Sequence, residues 1–300
     1  MLNTIAFETW KRASQNLISI YQLRLNKVLH QHAKHLVFIN DNGYEIDTIN
    51  HTKDLYTLLK MRRDLEQSNN KLRVGLTEFA LTDDYDVDAD HIVIRDAKTK
   101  KIVGGFRLLS SFHAKKFFNE SIFYLESIKS KFGHSLELSR FFLLPEHKHR
   151  DLMKLTARFL SHYCLVAKTN VLLCNQSINS GASRCAALVN SYFKTVGLYN
   201  PHVMCSLQTA HDIPNYHHWS SHFKDGLTAS ELIESAALLP SVFKDSLDLG
   251  VTIASPPGFD RNTNRIDFLT LLHKEDLNRS LWKTSSSHSE LPYVSSFFSR

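Results

Sequence analysis

Glu137 and Arg140 stand in Leu136-Glu137-Leu138-Ser139-Arg140-Phe141-Phe142-Leu143-Leu144, an otherwise apolar run that ends at Pro145. Such a run reads as a buried strand, in which a carboxylate and a guanidinium are costly unless they are paired or put to use. A carboxylate so placed can serve as a proton acceptor, because partial burial lifts its pKa toward neutrality. Arg140, a fork of fixed donors, can orient that carboxylate or an acidic group on a substrate, and Arg107 on the neighbouring strand can act in the same way. From this strand alone, a salt bridge at a sheet edge accounts for the pair as well as a catalytic role does.

The elements that must hold these residues follow from periodicity. Residues 1 to 40 read as helical, with Ile5, Phe7, Trp10, Leu17, Ile18, Tyr21, Leu25, Val28 and Leu29 at roughly helical spacing. A second helix runs through Leu55, Leu58, Leu59 and Arg62. His91 to Arg95 and Ile102 to Leu109 read as a hairpin of strands joined by the polar stretch Asp96 to Lys101. After the strand that carries Glu137 comes a helix with Leu152, Leu155, Phe159, Tyr163 and Val166 on one face, then the short strand Val171 to Cys174. That strand, helix and strand imply a parallel pairing. Further helices are expected over 180–193 and 238–249, a late strand over 266–272, a His- and aromatic-rich insertion of undefined structure over 207–229, and a loose Ser-rich tail from Thr284.

The 300 residues, 43% hydrophobic and 22% charged, suffice for one sizeable core. No run approaches the ~18 apolar residues of a membrane-spanning helix, so the expected location is the cytoplasm. Lys11, Arg12, Arg24, Lys27 and Lys34 against the single acid Glu8 make the first helix basic and amphipathic. Packing against the main domain and docking on an anionic membrane surface at the inner face of the membrane both fit it. The net charge of +6 is compatible with nucleic acid, anionic lipid or an acidic protein. Phe117, Phe118, Phe123 and Tyr124 could stack on bases, but they read as core or acyl-pocket residues, and no nucleic-acid partner is expected. Cys164, Cys174, Cys185 and Cys205 lie far apart among apolar neighbours and read as free thiols. His217, His218 and His222, and likewise His30, His32 and His35, read as polar surface positions, and no metal is expected. Neither a serine-hydrolase elbow nor a Walker-type loop is present in the sequence.

Read together, Asp84-Tyr85-Asp86, then Gly104-Gly105-Phe106-Arg107-Leu108-Leu109, then Glu137-Leu138-Ser139-Arg140 resemble, in order and spacing, the acyl-carrier-protein-dependent N-acyltransferases of the GNAT superfamily. The likeness is to the ornithine-lipid (hemolysin-like) branch and, more distantly, to acyl-homoserine lactone synthases. Leu239-Pro240 through Lys244 to Leu249-Gly250, with Asp260 and Asp267, resembles the C-terminal pattern of the ornithine-lipid branch. The resemblance implies an α/β fold of GNAT type, a mixed twisted central sheet flanked by helices, over residues 51–283. Residues 1–50 would be a helical extension and 284–300 a flexible tail.

It further implies transfer of a medium or long acyl group from a carrier thioester to a small amine, an amino acid such as ornithine among the candidates. Glu137, Arg140 and Arg107 are then the expected catalytic residues, and Arg62, Asp84 and Asp86 the substrate-binding ones. The family's phosphate-binding turn falls at Pro145-Glu146-His147-Lys148-His149-Arg150, which has no glycine. Tight wrapping of a coenzyme A pyrophosphate is therefore disfavoured. Lys148, His149 and Arg150 suit the single phosphate of a carrier-bound phosphopantetheine. Acyl carrier protein is the expected partner and acyl-carrier protein or acyl-coenzyme A the co-substrate, with no permanently bound cofactor. An acyl-homoserine lactone synthase and a degenerate, non-catalytic acyl-binding module are the alternative readings.

Overall fold

Alternating and β-branched apolar runs assemble most of the chain around one sheet, seen in a computed structural model that describes residues 2–69, 81–147 and 150–277. Strands β1 (Phe38–Asp41), β2 (Tyr44–Thr48), β3 (Asp90–Asp96), β4 (Ile102–Ser110), β6 (Ser135–Leu143), β7 (Val171–Ile178), β11 (Arg265–His273) and β10 (Gly258–Asp260) lie side by side in the order β1-β2-β3-β4-β6-β7-β11-β10. A short strand, β9 (Thr252–Ile253), also pairs with β11. Neighbours are antiparallel except β6 and β7, which are parallel as expected from the helix between them, α4 (Arg150–Val166).

Along α4, Leu152, Leu155, Phe159 and Tyr163 recur every three or four residues and pack on Phe106, Leu108, Leu136 and Leu138, which line one face of the sheet. The opposite face carries Leu109, Leu173, Leu269 and Leu271. It is covered by Phe117, Ile122, Phe123 and Ile128, from the segment that leads through β5 (Phe123–Tyr124) into α3 (Glu126–Phe132). Of the four aromatics in this segment, Phe117 and Phe123 are buried in that core and Tyr124 is exposed.

Helix α2 (Thr52–Asn69) lies close on this second face, Leu58 and Leu59 against Val93. The approach explains Gly105. A Cβ there would stand 2.5 Å from the Ile92 carbonyl oxygen and 2.5 Å from Leu58 Cδ1, and the strand backbone cannot yield. Gly105→Ala should therefore cost about 1–3 kcal/mol, the usual scale of overpacking, read as a lower midpoint in thermal melting.

The N-terminal region departs from the expected helical extension. Helix α1 (Leu2–Leu29) is followed by β1 and β2, which join the main sheet at β3, so no boundary falls at residue 50. The overlooked signal is Asn42-Gly43 between alternating residues. Both take positive φ, 51° and 79°, as a two-residue hairpin requires. The end of α1 is also tied in: Val28 is fully buried, Gln31 Nε2 donates to the Asp86 and Ala89 carbonyls at 3.1 Å, and the Lys34 and His35 N–H groups donate to the Asp90 carboxylate at 2.8 and 3.0 Å. Packing therefore accounts for the end of this helix around Val28 and for the segment that follows it. Deletion of residues 1–35 should yield insoluble or cooperatively destabilised protein, seen as loss of a sharp melting transition.

Downstream, the helix expected over 180–193 is α5 (Ser183–Thr195), the one expected over 238–249 is α8 (Ser241–Asp248), and a further helix precedes it. Helix α7 (Ala229–Leu238), opened by a capping box between Thr228 and Glu231, stops before Pro240, and α8 (Ser241–Asp248) starts after it. The insertion holds β8 (Ser206–Leu207), paired with β5, and α6 (Tyr216–His222). The four cysteines are free, two of them buried. The Ser-rich tail from Thr284 lies outside the described residues. Among the described residues no helix is long and apolar enough to cross a membrane.

Candidate active site

Two irregularities in β6 create the site. Its parallel ladder with β7 runs from Ser135↔Val171 to Leu138↔Cys174 and stops, after which β6 keeps pairing with β4 and β7 with β11. The two strands part there. In the β4 ladder, Gly105 opposes Phe142 and Arg107 opposes Ser139, so Arg140 and Phe141 both stand against Phe106. This is a bulge, and Arg140 takes φ 57° at it. A bulge breaks strand alternation and re-aims a side chain. Here it brings the Arg140 guanidinium into one ion-pair network with Arg107, whose strand neighbour Ser139 shares the Glu137 face.

Glu137 is fully buried at the next-to-last rung before the strands part. Its Oε1 accepts the Phe118 N–H at 3.2 Å and its Oε2 the Asn119 N–H at 2.9 Å, from a short 3-10 turn over Phe118–Ser121. Burial penalises the charged form more than these two donors, the nearby Arg107 and the Ser139 hydroxyl favour it, so the carboxyl is pushed up to about 7. Arg107, also fully buried, donates from Nε to Ser139 Oγ at 3.0 Å and from Nη1 to Asp86 Oδ1 at 3.0 Å and to Asp83. Its guanidinium lies over the Tyr85 ring, 5.5 Å from the centroid. Arg140 bridges Asp83 Oδ2 at 2.8 Å and Glu66 Oε1 at 2.6 Å, with Phe118 against it.

Behind these lies a buried chain of charge. Arg62 grips both oxygens of Asp86, at 3.0 and 2.7 Å, and donates to the Leu81 carbonyl at 3.0 Å. Burial disfavours ionised Asp86, but the Arg62 and Arg107 guanidiniums outweigh it and hold the carboxyl far below the usual range. His91, fully enclosed beside Asp86, is pushed down to about 4 by burial and stays neutral. The result is a rigid array in which three arginines meet Asp83, Asp86 and Glu66, with the near-neutral Glu137 at its edge.

The structure thus gathers Glu137, Arg107 and Arg140 at one place. Two of the expected substrate-binding residues are placed otherwise: Asp86 and Arg62 are buried and pair with each other, so they brace Arg107 instead of meeting a ligand. The third, Asp84, is 82% exposed at its side chain and pairs with Arg24 of α1. Lys148 and His149 lie outside the described residues, as does the side chain of Arg150, the first residue of α4. Three contributors were not read from sequence. Asp83, next to the quoted motif, joins Arg107 to Arg140. Ser139 links Arg107 to Glu137. The Phe118–Asn119 amides carry no side-chain signal, because a backbone donor is invisible to residue type. Among the described residues, no group of three His, Cys, Asp or Glu side chains could hold a metal ion.

A carboxyl near neutrality, held by backbone donors where two parallel strands diverge and flanked by guanidiniums, can accept a proton from a bound nucleophile while the diverging backbone meets an extended ligand. Residues 62–158 match the family described as Acetyltransferase (GNAT) domain. This stretch, which contains Arg62, Arg107, Glu137 and Arg140, is an acyltransferase domain, and the mixed sheet flanked by helices is the GNAT type of fold. No curated protein matches the chain. Among solved structures, the AHL synthase LasI is 13% identical with a TM-score of 0.46, covering 86% of this chain and 100% of its own. FeeM, an N-acyl amino acid synthase from uncultured soil microbes, is 10% identical with a TM-score of 0.40, over 83% of this chain and 96% of its own. Spermidine N-acetyltransferase from Vibrio cholerae, in complex with CoA and spermine, is 10% identical with a TM-score of 0.37, over 79% and 99%. At these levels of likeness no residue's role carries over from them.

Proposed function

We propose that this protein is an N-acyltransferase that moves a medium or long fatty acyl group from a phosphopantetheine thioester, carried by acyl carrier protein, to a small amine such as the amino group of ornithine. One observation supports the reading above the others: Glu137, pushed up to about 7, sits where β6 and β7 part. There it takes one proton from the acceptor ammonium. The freed lone pair attacks the thioester carbonyl carbon, forming the C–N bond, and the C–S bond breaks. The leaving thiolate receives the second amine proton, and Glu137 returns its own to solvent, so that amide, free thiol and one proton result. Arg107 and Arg140 fix the carboxylates around the base.

Incubation of the purified protein with acyl-carrier protein and candidate amines, followed by mass spectrometry for an amide, tests the activity. The absence of any amide across thioester donors and amines would overturn it. The carrier assignment rests on Lys148 and Arg150. Replacing both by alanine should weaken carrier affinity, and wild-type affinity should fall as salt rises, because such encounters are electrostatically steered. Salt-independent binding or a clear preference for acyl-coenzyme A would contradict it. A long-chain amide partitions into lipid, and Leu17, Ile20 and Leu23 on α1 are exposed, which supports peripheral docking at an anionic membrane. Sedimentation of the full chain with anionic vesicles measures this.

A further inference from the structure

Strands β6 and β7 lie inside the sheet, with β4 and β11 on their outer sides, yet each becomes accessible part of the way along. On β6, residues 135–138 are buried, 139–142 half-buried and 143 buried again; on β7, residues 171–173 are buried, 174–177 half-buried and 178 buried. The two accessible stretches begin side by side where the ladder between the strands ends, at Leu138↔Cys174. They mark a gap in the sheet, and Ser139 is its first residue on β6. Two residues apart and ahead of the bulge, Glu137 and Ser139 share one face, as do Leu109 and Arg107 opposite them. Glu137 is fully buried behind the gap, and Ser139 is half-buried at its edge.

The groups that meet the Glu137 carboxyl differ in what they can do with a proton. The Phe118 and Asn119 N–H groups, at 3.2 and 2.9 Å, are backbone amides, which donate a hydrogen bond and keep their hydrogen. The third is the Ser139 hydroxyl. Its oxygen accepts Arg107 Nε at 3.0 Å, which occupies one lone pair and leaves the hydroxyl hydrogen for the carboxylate. A second lone pair stays open to a ligand. We infer that Ser139 is a further catalytic residue, passing to Glu137 the proton of an acceptor ammonium bound in the gap between β6 and β7. The inference rests on the acyl-transfer reading and deepens it. The ammonium N–H bond breaks as its proton passes to Oγ, and the Oγ–H bond breaks as that proton passes to the carboxylate. The ammonium becomes a neutral amine and the carboxylate a carboxylic acid, while Ser139 ends with one hydrogen as it began. Such a relay lets the base be fully enclosed, which lifts its pKa, and still serve a ligand in the gap.

The test is kcat/KM between about pH 6 and 10 for wild type, Ser139→Val and Ser139→Thr. The substrates are lauroyl-carrier protein and the best amino-acid acceptor from a wild-type screen that includes ornithine. Valine and threonine have the same shape and differ by the hydroxyl, and either fills the space a substitute water would need. Wild type should rise through the apparent pKa near 7 set by Glu137. Ser139→Val cuts the base off from the ammonium, so kcat/KM at pH 7 should fall by about 100-fold, the scale for losing the base itself. Its rise should move to the pH at which the free ammonium ionises, about 10 for an alkylamine, since a neutral amine needs no base. Ser139→Thr should bring the rise back near 7. Ser139→Val combined with Glu137→Gln should cost no more than either change alone, because the two residues act as one unit. A Ser139→Val enzyme that keeps the rise near 7, whether as active as wild type or uniformly slower, would overturn the inference, as would losses that multiply in the double variant. If Ser139→Val fails to fold, Ser139→Ala is read by the same rise. A wild type that acylates no amine would remove the acyl-transfer reading itself, whereas amide formation with the rise near 7 kept in the hydroxyl-free variant removes the relay alone.

Discussion

Glu137→Gln should lower kcat and kcat/KM together by about 100-fold, the usual scale for loss of a general base, with the acyl-donor KM little changed. The fold should persist, because the glutamine oxygen still accepts one of the two backbone N–H groups offered by Phe118 and Asn119. The pH profile distinguishes a lost base from a disturbed site. The base works as the carboxylate, so wild-type kcat/KM should rise with pH through an apparent pKa near 7, where burial has placed Glu137. That ascending limb should vanish in the variant. Stability should respond in the opposite sense. Glu137 ordinarily titrates at 4.5, and its folded value lies above that, so its contribution is fully present below 4.5, declines as pH rises from there to about 7, and is constant beyond. The melting-temperature advantage of wild type over Glu137→Gln should therefore shrink between pH 5 and 8. A wild type with flat kcat/KM from pH 6 to 8, or a fully active variant, would remove Glu137 as the base.

How far the sequence discloses this site can be traced through its members. Glu137 and Arg140 were visible because charge in an apolar run is anomalous, and Arg107 because it stands on the neighbouring strand. Their meeting depends on a bulge at Arg140 that no residue type announces, since the positive φ there is held by an arginine and not by the glycine or asparagine that signals such a turn. Asp86 enters the sequence reading only through the Asp84-Tyr85-Asp86 motif, because sequence shows that an acid is present and not that two arginines enclose it. Strand-helix-strand periodicity was enough for the parallel pair β6 and β7, which sets the divergence point. The hairpin of β1 and β2 was missed although Asn42-Gly43 is a strong local signal, because a long helical pattern was carried past its end at Leu29. Gly104-Gly105 was read as part of a family motif, and the structure supplies a packing reason for it at Gly105: helix α2 lies where a Cβ would stand.

Asp86→Ala should have the largest effect on stability, about 3–5 kcal/mol, the scale for removing one partner of a buried ion pair. The loss follows from what remains. Arg62 would keep only the Leu81 carbonyl, and Arg107 would keep Asp83 and Ser139, in an interior where Arg107 is fully buried and Arg62 nearly so. Since whole domains are stable by only about 5–15 kcal/mol, the variant should be partly unfolded at 37 °C or melt far below wild type. Pairing Asp86→Leu with Arg62→Met should recover a large part of the loss, because it removes the stranded charge and fills the space, while Asp83 continues to neutralise Arg107. Activity should not recover with it, since Arg107 would have lost the brace that aims it past Ser139 toward Glu137. Acid should remove part of the same contribution. The folded-state pKa of Asp86 is depressed, so its contribution is fully present above the ordinary carboxylate value of 3.8 and is lost progressively as pH falls from there toward the much lower folded value. Denaturant titrations at pH 7 and pH 3 should show wild type losing stability between them and Asp86→Ala losing less. Equal losses in the two proteins would mean that acid unfolds the molecule elsewhere and that the Arg62–Asp86–Arg107 chain is not its keystone.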